Sequence, residues 1–413
     1  MIAVAEALRM TLEAAPVLGA ERVLLDAALG RVAAEPARSG RAVPAADNSA
    51  MDGFAVRAAD VATPGARLHV LGSEPAGSVL DQPVGPGTAA RIFTGSLVPE
   101  GADTVVKVED TSEAGGVITV AIAAQAGANV RRAGEDIAPG AVVLAPGTPI
   151  GPADLGLLAS IGRATVVVHR RPRVAIVSTG AELVEVDEGV ARAQVVNSNA
   201  YQLAAAVRVA GGEPVVLPIV RDRFEDIRER LGEAAAADVV LSTGGVSVGD
   251  FDFVKEALDA LGVERLFWKV AQKPGKPLTV GRRAGCVFFG LPGNPVSALV
   301  CFWVYVWPAL RRMAGHGRPH LPVVEATLAA DVKKAKDLTE FVRVHLEPAR
   351  DGGWRAVPFA AQGSGVLSSL GGGAGLLVGA ATHRVLAAGS RHPVLVPAPE
   401  SALAGADLPA EPA

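Results

Sequence analysis

A glycine-rich segment with acidic residues, Ala237 to Asp252, has the residue types of a phosphate-binding site. Val239 to Leu241 is a short apolar run that predicts a buried strand, and it ends in a Ser-Thr-Gly-Gly turn. Paired glycines after a strand let backbone N–H groups turn towards an oxyanion, because no Cβ blocks its approach. Asp250 and Asp252 follow as ligands for a divalent cation. The segment therefore predicts a phosphorylated ligand with a divalent cation.

Two other segments share this pattern of an apolar strand followed by a glycine turn. Arg173 to Leu183 repeats the strand, the Ser-Thr-Gly and the acid, and Val287 to Trp307 contains a strand that breaks at Pro-Gly. After that break, Asn294 and Pro295 are typical of the N-cap and the first position of a helix. Three such strands fit one open parallel sheet, whose ligand lies beyond the carboxyl ends of the strands.

Three of the eight lysines fall in one short loop, although the chain has 31 arginines. They are Lys269, Lys273 and Lys276, and a compact ammonium group suits a phosphate or a tetrahedral oxyanion. A solvated charged loop is the alternative, but prolines stiffen this loop and Gly275 lets a ligand approach the backbone. We therefore expect an anion site here, whereas the lysines between 333 and 336 indicate plain surface.

Two charged turns occur earlier in the chain. Asp52-Gly53 is a turn-forming pair within DNSAMDGFAV, and Asp136 follows two arginines, a glycine and a glutamate. Thr94 lies at the end of a predicted strand between them. Taken alone, each segment favours a solvated turn over a catalytic role.

Composition limits the class of protein. A chain of 413 residues predicts two to four domains of about 100–200 residues each. Half of the residues are hydrophobic and 20% are charged, which indicates a globular chain. The net charge of −4 and the 4% of aromatic residues argue against nucleic-acid binding. An anionic ligand must therefore be held by local positive charge.

Cysteine usage and hydropathy predict a cytoplasmic protein without a membrane helix. Cys286 and Cys301 lie in apolar runs, which is typical of reduced cytosolic proteins. Glu6 and Arg9 occupy the region where a signal peptide would have its apolar core. The run Val296 to Leu310 is interrupted by a proline and is shorter than the roughly 20 residues that span a bilayer.

Outside the α/β region, the patterns predict mainly β-structure. Glycine and proline punctuation between Gly65 and Gly147 predicts short strands in a small barrel or sandwich. Val23 to Val32 favours a short helix, and an Asp-Gly-Gly turn predicts a hairpin between Phe341–Leu346 and Trp354–Phe359. Ser401 to Ala413 predicts a disordered tail.

Seven motifs, in this order and spacing, closely resemble the MoeA/gephyrin family, the molybdopterin molybdenumtransferases. They are DNSAMDGFAV, RIFTG, RRAGED, STGAEL, STGGVSVGDFD, KPGKP and GLPGNPVSA, and the likeness runs from about residue 4 to 397. The resemblance implies an enzyme of molybdenum cofactor biosynthesis that inserts molybdate into adenylylated molybdopterin, releases AMP and uses Mg²⁺. It also implies a homodimer, with a site between the α/β domain of one subunit and the small β domain of the other.

The resemblance further implies an α/β multidomain fold. A central MogA-like, open and mostly parallel α/β sheet domain is expected at 168–317. A helical and extended linker or dimerisation domain is expected at 1–40 and 128–167, a small β domain at 41–127, and a C-terminal β-barrel-like domain at 318–400, before the tail at 401–413.

The resemblance also assigns roles to single residues. The implied catalytic residues are Asp52, Thr94 and Asp136. The residues implied to bind the adenylylated molybdopterin are Glu182, Asp222, Gly244, Gly245, Ser247, Lys269, Pro292, Asn294 and Pro295. Those implied for molybdate are Lys273, Lys276, Ser297, Arg343 and Ser364, and those for the metal are Asp252 and Glu182. A carboxylate that faces molybdate is repulsive unless a proton or a cation neutralises it, so we hypothesise that Asp52 and Asp136 bind metal or shuttle protons.

Two positions depart from the family pattern, which commonly has an acid where this chain has Ala181 and Asn197. Both changes remove negative charge near the expected Mg²⁺ site, and a paralogue with shifted activity is one alternative. A second is a molybdopterin adenylyltransferase, which the sheet domain also resembles and which is otherwise an expected partner. A third is a non-catalytic scaffold. The sequence does not separate molybdate from tungstate.

Overall fold

The chain is an α/β multidomain protein, and its described residues form three six-stranded sheets. The computed structural model describes residues 1–75, 77–78, 80–245, 253–335, 337–349 and 352–397. The predicted tail therefore lies outside the described residues, and the expected domain limits stay a prediction. None of the helices within the described residues is long and apolar enough to cross a bilayer.

The central sheet is open and mostly parallel, as the three strand-and-turn segments predict. Its order is Glu213–Val216, Arg173–Ser178, Val239–Thr243, Cys286–Leu291, Thr279–Arg283 and Glu264–Trp268. The first four strands are parallel, and Thr279–Arg283 runs antiparallel to both of its neighbours. The carboxyl ends of the first four strands therefore lie at one edge.

Helices cover both faces of this sheet, which explains why its strands are apolar without alternation. Ile176 and Phe289 pack on one face, and Val177 and Phe288 pack on the other. The helices are Ser198–Val209, Phe224–Ala234, Phe253–Ala260 and the long helix that starts at Pro295, and a short parallel pair joins Leu183–Val184 to Val195–Val196.

The long helix contains a wide turn. Pro295–Cys301 and Trp307–Met313 are α-helical, and Phe302–Val306 between them is a π-helix. Pro308 has no N–H to donate to residue 304, and a π turn just before it accommodates that loss. The predicted interruption is thus a local widening inside one helix.

The N-terminal helix Val4–Ala14 packs on this long helix. The Leu18 N–H donates to the Met313 carbonyl at 2.8 Å, and Arg312 Nε donates to the Ala15 carbonyl at 3.0 Å. The chain then forms β-structure at Ala20–Leu24, which pairs with Thr165–His169. The short helix expected over Val23 to Val32 forms only as the 3₁₀ helix Leu25–Ala27, because Val23 and Leu24 belong to the paired strand.

The region before the helix Pro152–Ser160 holds the second large sheet. Its order is Thr104–Lys107, Gly53–Val56, Thr88–Ile92, Arg67–Glu74, Val117–Val120 and Thr111–Ala114, and two-stranded pairings join Ala37–Arg38 to Val142–Leu144 and Asn48–Ser49 to Val130–Arg131. Short 3₁₀ turns occur at Leu25–Ala27, Ala58–Asp60 and Val108–Asp110. Its two edge strands, Thr104–Lys107 and Thr111–Ala114, are joined by only the three-residue turn Val108–Asp110, so the sheet must curl strongly, and the predicted barrel or sandwich stays a prediction.

The C-terminal region does close into a barrel. Five strands pair in a ring in the order Thr339–Pro348, Trp354–Pro358, Val323–Leu328, Arg391–Leu395 and Gly375–Gly379, and the short strand Gln272–Lys273 adds to the first of them. Val332–Lys333 pairs with Val385–Leu386, and Leu367–Leu370 is a 3₁₀ turn. The expected hairpin is confirmed. Lys334 was expected at the surface but is buried, because its ammonium group donates to the carbonyls of Ala335 and His383.

Asp238, just before the central strand Val239–Thr243, ties that strand to the segment before the sheet. It accepts two hydrogen bonds from Arg170, at 2.7 and 2.6 Å, and one from the Arg173 N–H at 2.9 Å. Burial alone would raise the pKa of Asp238, but the hydrogen bonds from Arg170 and Arg173 outweigh it and the pKa is lowered. A carboxyl group with a lowered pKa stabilises the fold above its unfolded pKa, and the effect is lost as the pH falls through the folded pKa.

We expect Asp238→Asn to lower the free energy of unfolding by about 2 kcal/mol at pH 7, since a charge-assisted hydrogen-bond pair is lost. Denaturant unfolding at pH 7 and at about pH 3 measures this, and the difference from wild type should shrink at the lower pH. Asp259→Asn, which breaks an exposed pair with Arg265, is the control and should change stability by less than about 0.5 kcal/mol. Equal effects of the two variants would contradict the assignment.

Candidate active site

Two glycine turns meet at the carboxyl edge of the central sheet. Ser178 and Thr243 are in register at the ends of their strands, and the Thr179 N–H donates to the Thr243 carbonyl at 3.0 Å. Gly244 has φ of +89°, and a Cβ there would lie 2.4 Å from the Thr179 carbonyl oxygen. Gly245 has φ of +61°, and its Cβ would lie 2.7 Å from the Val254 side chain. Only glycine allows this close approach of the two turns.

A cavity of about 630 Å³ opens over these turns. Its walls come from the turns, the segment before the helix Ser198–Val209, the start of the helix at Pro295 and one loop of the C-terminal region. The lining residues are Thr179, Glu182, Leu183, Val195, Val196, Asn197, Ser198, Asn199, Thr243, Gly244, Gly293, Asn294, Pro295, Gly365 and Leu367. Its size and its location at the strand ends suit a nucleotide-sized ligand.

Amide side chains hold the third turn against this cavity. Asn199 Nδ2 donates to the Gly293 carbonyl at 2.8 Å, and Gln202 Nε2 donates to the Pro295 carbonyl at 3.0 Å. Asn197 is buried and its Oδ1 accepts from the Ala200 N–H, so it caps its helix. In this chain the departure at Asn197 thus serves a structural hydrogen bond.

The predicted carboxylates reach the cavity unequally. Glu182 lines it, whereas Asp222 accepts a hydrogen bond from the Ala181 N–H at 3.1 Å and fixes the turn before Glu182. Ser247 and Asp252 lie outside the described residues. The described part of the chain holds no group of three or more His, Cys, Asp or Glu residues able to enclose a metal.

Of the remaining residues expected to bind the pterin nucleotide, Asn294 and Pro295 line the cavity. Pro292 is buried just before the turn at Gly293 and Asn294. Lys269 has φ of +65°, and its ammonium group lies 3.8 Å from the centre of the Trp268 ring.

A buried hydrogen-bond network shapes the lysine loop. Tyr305 donates its hydroxyl hydrogen to Gln272 Oε1, and Gln272 Nε2 donates to the Pro274 carbonyl at 3.0 Å. Gly275 has φ of +89°, and a Cβ there would lie 2.4 Å from Cys301 Sγ. The backbone between Lys273 and Lys276 is therefore held against the long helix, while both lysine side chains are exposed.

Contacts run continuously from this loop to the C-terminal barrel. A Cβ on Gly275 would lie 3.5 Å from the Ser297 carbonyl, so the loop adjoins buried Ser297. Ser364 accepts a hydrogen bond from Asn294 Nδ2 at 3.0 Å, and its carbonyl accepts from the Val296 N–H at 3.2 Å. The structure thus brings the predicted oxyanion residues into neighbouring segments.

Arg343 completes this set from the barrel strand Thr339–Pro348, on the face opposite to the barrel core residues Val342 and Val344. Its side chain is fully buried, and Nη2 donates to the carbonyls of Ala361 and Gly363 at 3.1 Å each. Its Nε has no hydrogen-bond partner within the described residues. Burial penalises the charged form and lowers the pKa of Arg343, and an anion beside the guanidinium group would offset that penalty.

Asp52 and Thr94 are brought together in the small β region. Asp52 Oδ1 accepts from the Thr94 N–H at 2.7 Å and from the Thr94 hydroxyl at 2.8 Å. These bonds, with the nearby charge of Arg91, lower the pKa of Asp52. The Gly53 backbone lies so close to the neighbouring strand Thr104–Lys107 that a Cβ on Gly53 would lie 2.0 Å from the Val106 carbonyl oxygen.

Asp136 lies in a turn that is clamped to the same corner. Asp47 accepts from the Ala133 N–H at 2.8 Å and from Arg132 at 2.6 Å, and both bonds lower its pKa. The Asp136 N–H donates to the Val43 carbonyl at 3.1 Å, and its side chain is exposed. None of the residues that line the cavity, as far as the chain is described, belongs to this corner.

Sequence reasoning missed several residues that shape the site. Gln272, Tyr305 and Asn199 act through buried hydrogen bonds, and neutral side chains in apolar segments carry no distinct signal. Glu340 was also missed, although its carboxylate lies 2.9 Å from Lys273 Nζ. A contact between distant segments leaves no trace in local spacing.

Three family profiles cover most of the chain. Residues 2–162 match the MoeA N-terminal region (domain I and II), residues 175–312 match a probable molybdopterin binding domain, and residues 325–396 match the MoeA C-terminal region (domain IV).

Curated relatives and solved structures agree with these matches. A molybdopterin molybdenumtransferase of Nostoc is 42% identical over 73% of this chain and 71% of its own length. That of Bacillus subtilis is 38% identical over 85% of this chain and 83% of its own. A crystal structure of a molybdopterin biosynthesis MoeA protein from Pyrococcus horikoshii has a TM-score of 0.82 at 30% identity, covering 96% of this chain and 100% of that one.

We expect Thr94→Val to raise the pKa of Asp52 towards its ordinary value, because one of two hydrogen bonds to the carboxylate is lost. An NMR titration of the Asp52 carboxyl carbon measures the change. Thr94→Ser keeps the hydroxyl group and should titrate like wild type. A Val variant that also titrates like wild type would show that the hydroxyl bond does not act on Asp52.

Proposed function

Since the chain belongs to the MoeA family, we infer that it is a molybdopterin molybdenumtransferase, an enzyme that inserts molybdate into adenylylated molybdopterin and releases AMP. One structural observation supports the reaction most directly. A nucleotide-sized cavity over glycine turns adjoins, through the helix start at Asn294, a set of cations and hydroxyl groups suited to a tetrahedral oxyanion. Cytoplasmic location and action after a molybdopterin adenylyltransferase are part of the proposal.

We place the nucleotide-linked end of the pterin in the cavity. Backbone N–H groups around Gly244 and Gly245 would face its phosphate, with Ser247 beyond them, and Asn294 and Pro295 would form the opposite wall. Lys269, held over Trp268, would add a point charge for a substrate phosphate.

Mg²⁺ is the metal we propose for this end of the site. Magnesium commonly binds one or two carboxylates together with substrate phosphates, and Glu182 is a carboxylate on the cavity wall. Asp252 would be the second ligand. Bound there, the ion would neutralise phosphate charge, while Asp222 keeps the turn before Glu182 in place.

Molybdate would lie between the lysine loop and the barrel. Lys273 and Lys276 supply charge at the surface, Arg343 supplies it from the interior, and Ser297 and Ser364 donate hydroxyl groups. The protein itself balances only part of this positive charge, and a doubly negative oxyanion would balance the remainder.

Asp52, Thr94 and Asp136 are proposed to act from the second subunit of a homodimer. Their corner is not part of the cavity wall within one chain, so a partner subunit would bring it to the oxyanion. The hydrogen bonds from Thr94 lower the pKa of Asp52, so its carboxylate stays charged and is suited to bind a cation. Asp136 would act beside it, passing protons while the two dithiolene sulfurs displace an oxygen of molybdate, which leaves as water.

We expect Asp52→Asn to reduce molybdate-dependent AMP release at least about 100-fold, because an acid–base or cation-binding group is lost. AMP formed from adenylylated molybdopterin measures this, with molybdate, tungstate and Mg²⁺ each titrated. Asp81→Asn, an exposed acid in the same region, is the control. Wild-type rates in the Asp52 variant would reject the role, and adenylylation of molybdopterin by ATP would instead indicate an adenylyltransferase.

The shared site predicts complementation between two inactive variants. Asp52→Asn and Lys273→Gln should each be inactive alone, because one lacks the acid and the other a cation. A mixed dimer has one site with both residues intact, so co-expressed variants should recover about a quarter to a half of the wild-type rate of AMP release. If the co-expressed variants release AMP no faster than the sum of the rates of the two variants measured separately, both residues belong to a site formed by a single chain.

A further inference from the structure

Glu340 is a buried carboxylate that contacts an exposed lysine of the proposed oxyanion site. Its Oε1 lies 2.9 Å from Lys273 Nζ, and its side chain is 8% exposed while that of Lys273 is 53% exposed. The other oxygen accepts from the Ala335 N–H at 3.2 Å. The acid is therefore fixed, and the lysine is the mobile partner of the pair.

Backbone pairing keeps these two side chains together. The strand Gln272–Lys273 adds to the strand Thr339–Pro348 in parallel, and Lys273 is in register with Glu340. The same long strand carries Arg343, and the preceding Gln272 is locked by Tyr305. The contact thus joins the lysine loop to the barrel strand that also carries Arg343.

We propose that Glu340 is a positioning residue that acts through Lys273 and limits how tightly the site holds an oxyanion. The inference rests on the proposed function, because it takes Lys273 as a molybdate ligand. Glu340 directs the lysine and occupies one of its hydrogen bonds while no oxyanion is bound. It also keeps a fixed negative charge beside the bound oxyanion. The repulsion between them excludes weakly binding anions and lets a bound oxyanion dissociate.

The geometry sets the size of this effect. An oxyanion oxygen bonded to Lys273 at about 2.9 Å would lie within about 6 Å of the Glu340 carboxylate. Like charges at that separation in a partly shielded site repel by enough to weaken binding at least about tenfold. Damage to the fold would weaken anion binding. Tighter anion binding in a variant therefore cannot be a result of structural damage.

Isothermal titration of the full-length protein with molybdate, and separately with sulfate, tests the proposal. Glu340→Gln keeps the side chain's size but removes its charge, and we expect the dissociation constant for both anions to fall at least about tenfold. The KM for molybdate in AMP release should fall in parallel, while kcat does not rise. Glu347→Gln on the same strand removes an acid that is exposed and paired with Arg355. This control should leave the two dissociation constants and the KM unchanged.

Lys273→Gln separates failure of the inference from failure of the proposed function. If this variant binds molybdate as tightly as wild type, the lysine is not a ligand and the proposed oxyanion site is wrong. If it binds weakly but Glu340→Gln binds no tighter than wild type, the site stands and the role of Glu340 is rejected. In the double variant, the gain from removing Glu340 should be smaller, because part of it acts through the lysine.

Discussion

Parallel pairing of three strands is the constraint on which the whole site depends. It places the turns after Ser178, Thr243 and Leu291 at one edge, and the first two approach so closely that Gly244 tolerates no Cβ. Backbone N–H groups can then face a phosphate without any net charge from side chains. This matters in a chain whose formal charge is −4, because fewer cationic side chains are then needed for the phosphate and others can serve a second ligand.

That second ligand is proposed to lie where two folding units share one strand pairing. The lysine loop leaves the central sheet, pairs with the barrel through Gln272–Lys273, and returns, so that cations from both units face one region. Ser364 bonds to the start of the long helix in the same way. Positive charge is thus assembled by packing, since no short stretch of sequence concentrates all of it.

Local patterns predicted the sheet and its turns well, because an apolar run that ends in glycine has few other solutions. The hairpin at Trp354 and the cap at Asn294 were predicted for the same reason. Closure of a sheet depends on pairings between distant strands, so turn spacing alone does not determine whether the small β region closes into a barrel. The contact between Lys273 and Glu340 was not predicted for a similar reason. The roles of the candidate residues rest on the resemblance to the family.

Arg343 has a consequence for the protein in the cell. Among the described residues its buried guanidinium group finds no hydrogen-bond partner for Nε, which penalises the folded state, and a bound oxyanion would relieve that penalty. Any ligand that binds only the native chain stabilises it by mass action. Scarcity of the metal would therefore leave the enzyme at its most fragile and speed its proteolysis, so that its abundance follows the nutrient it consumes.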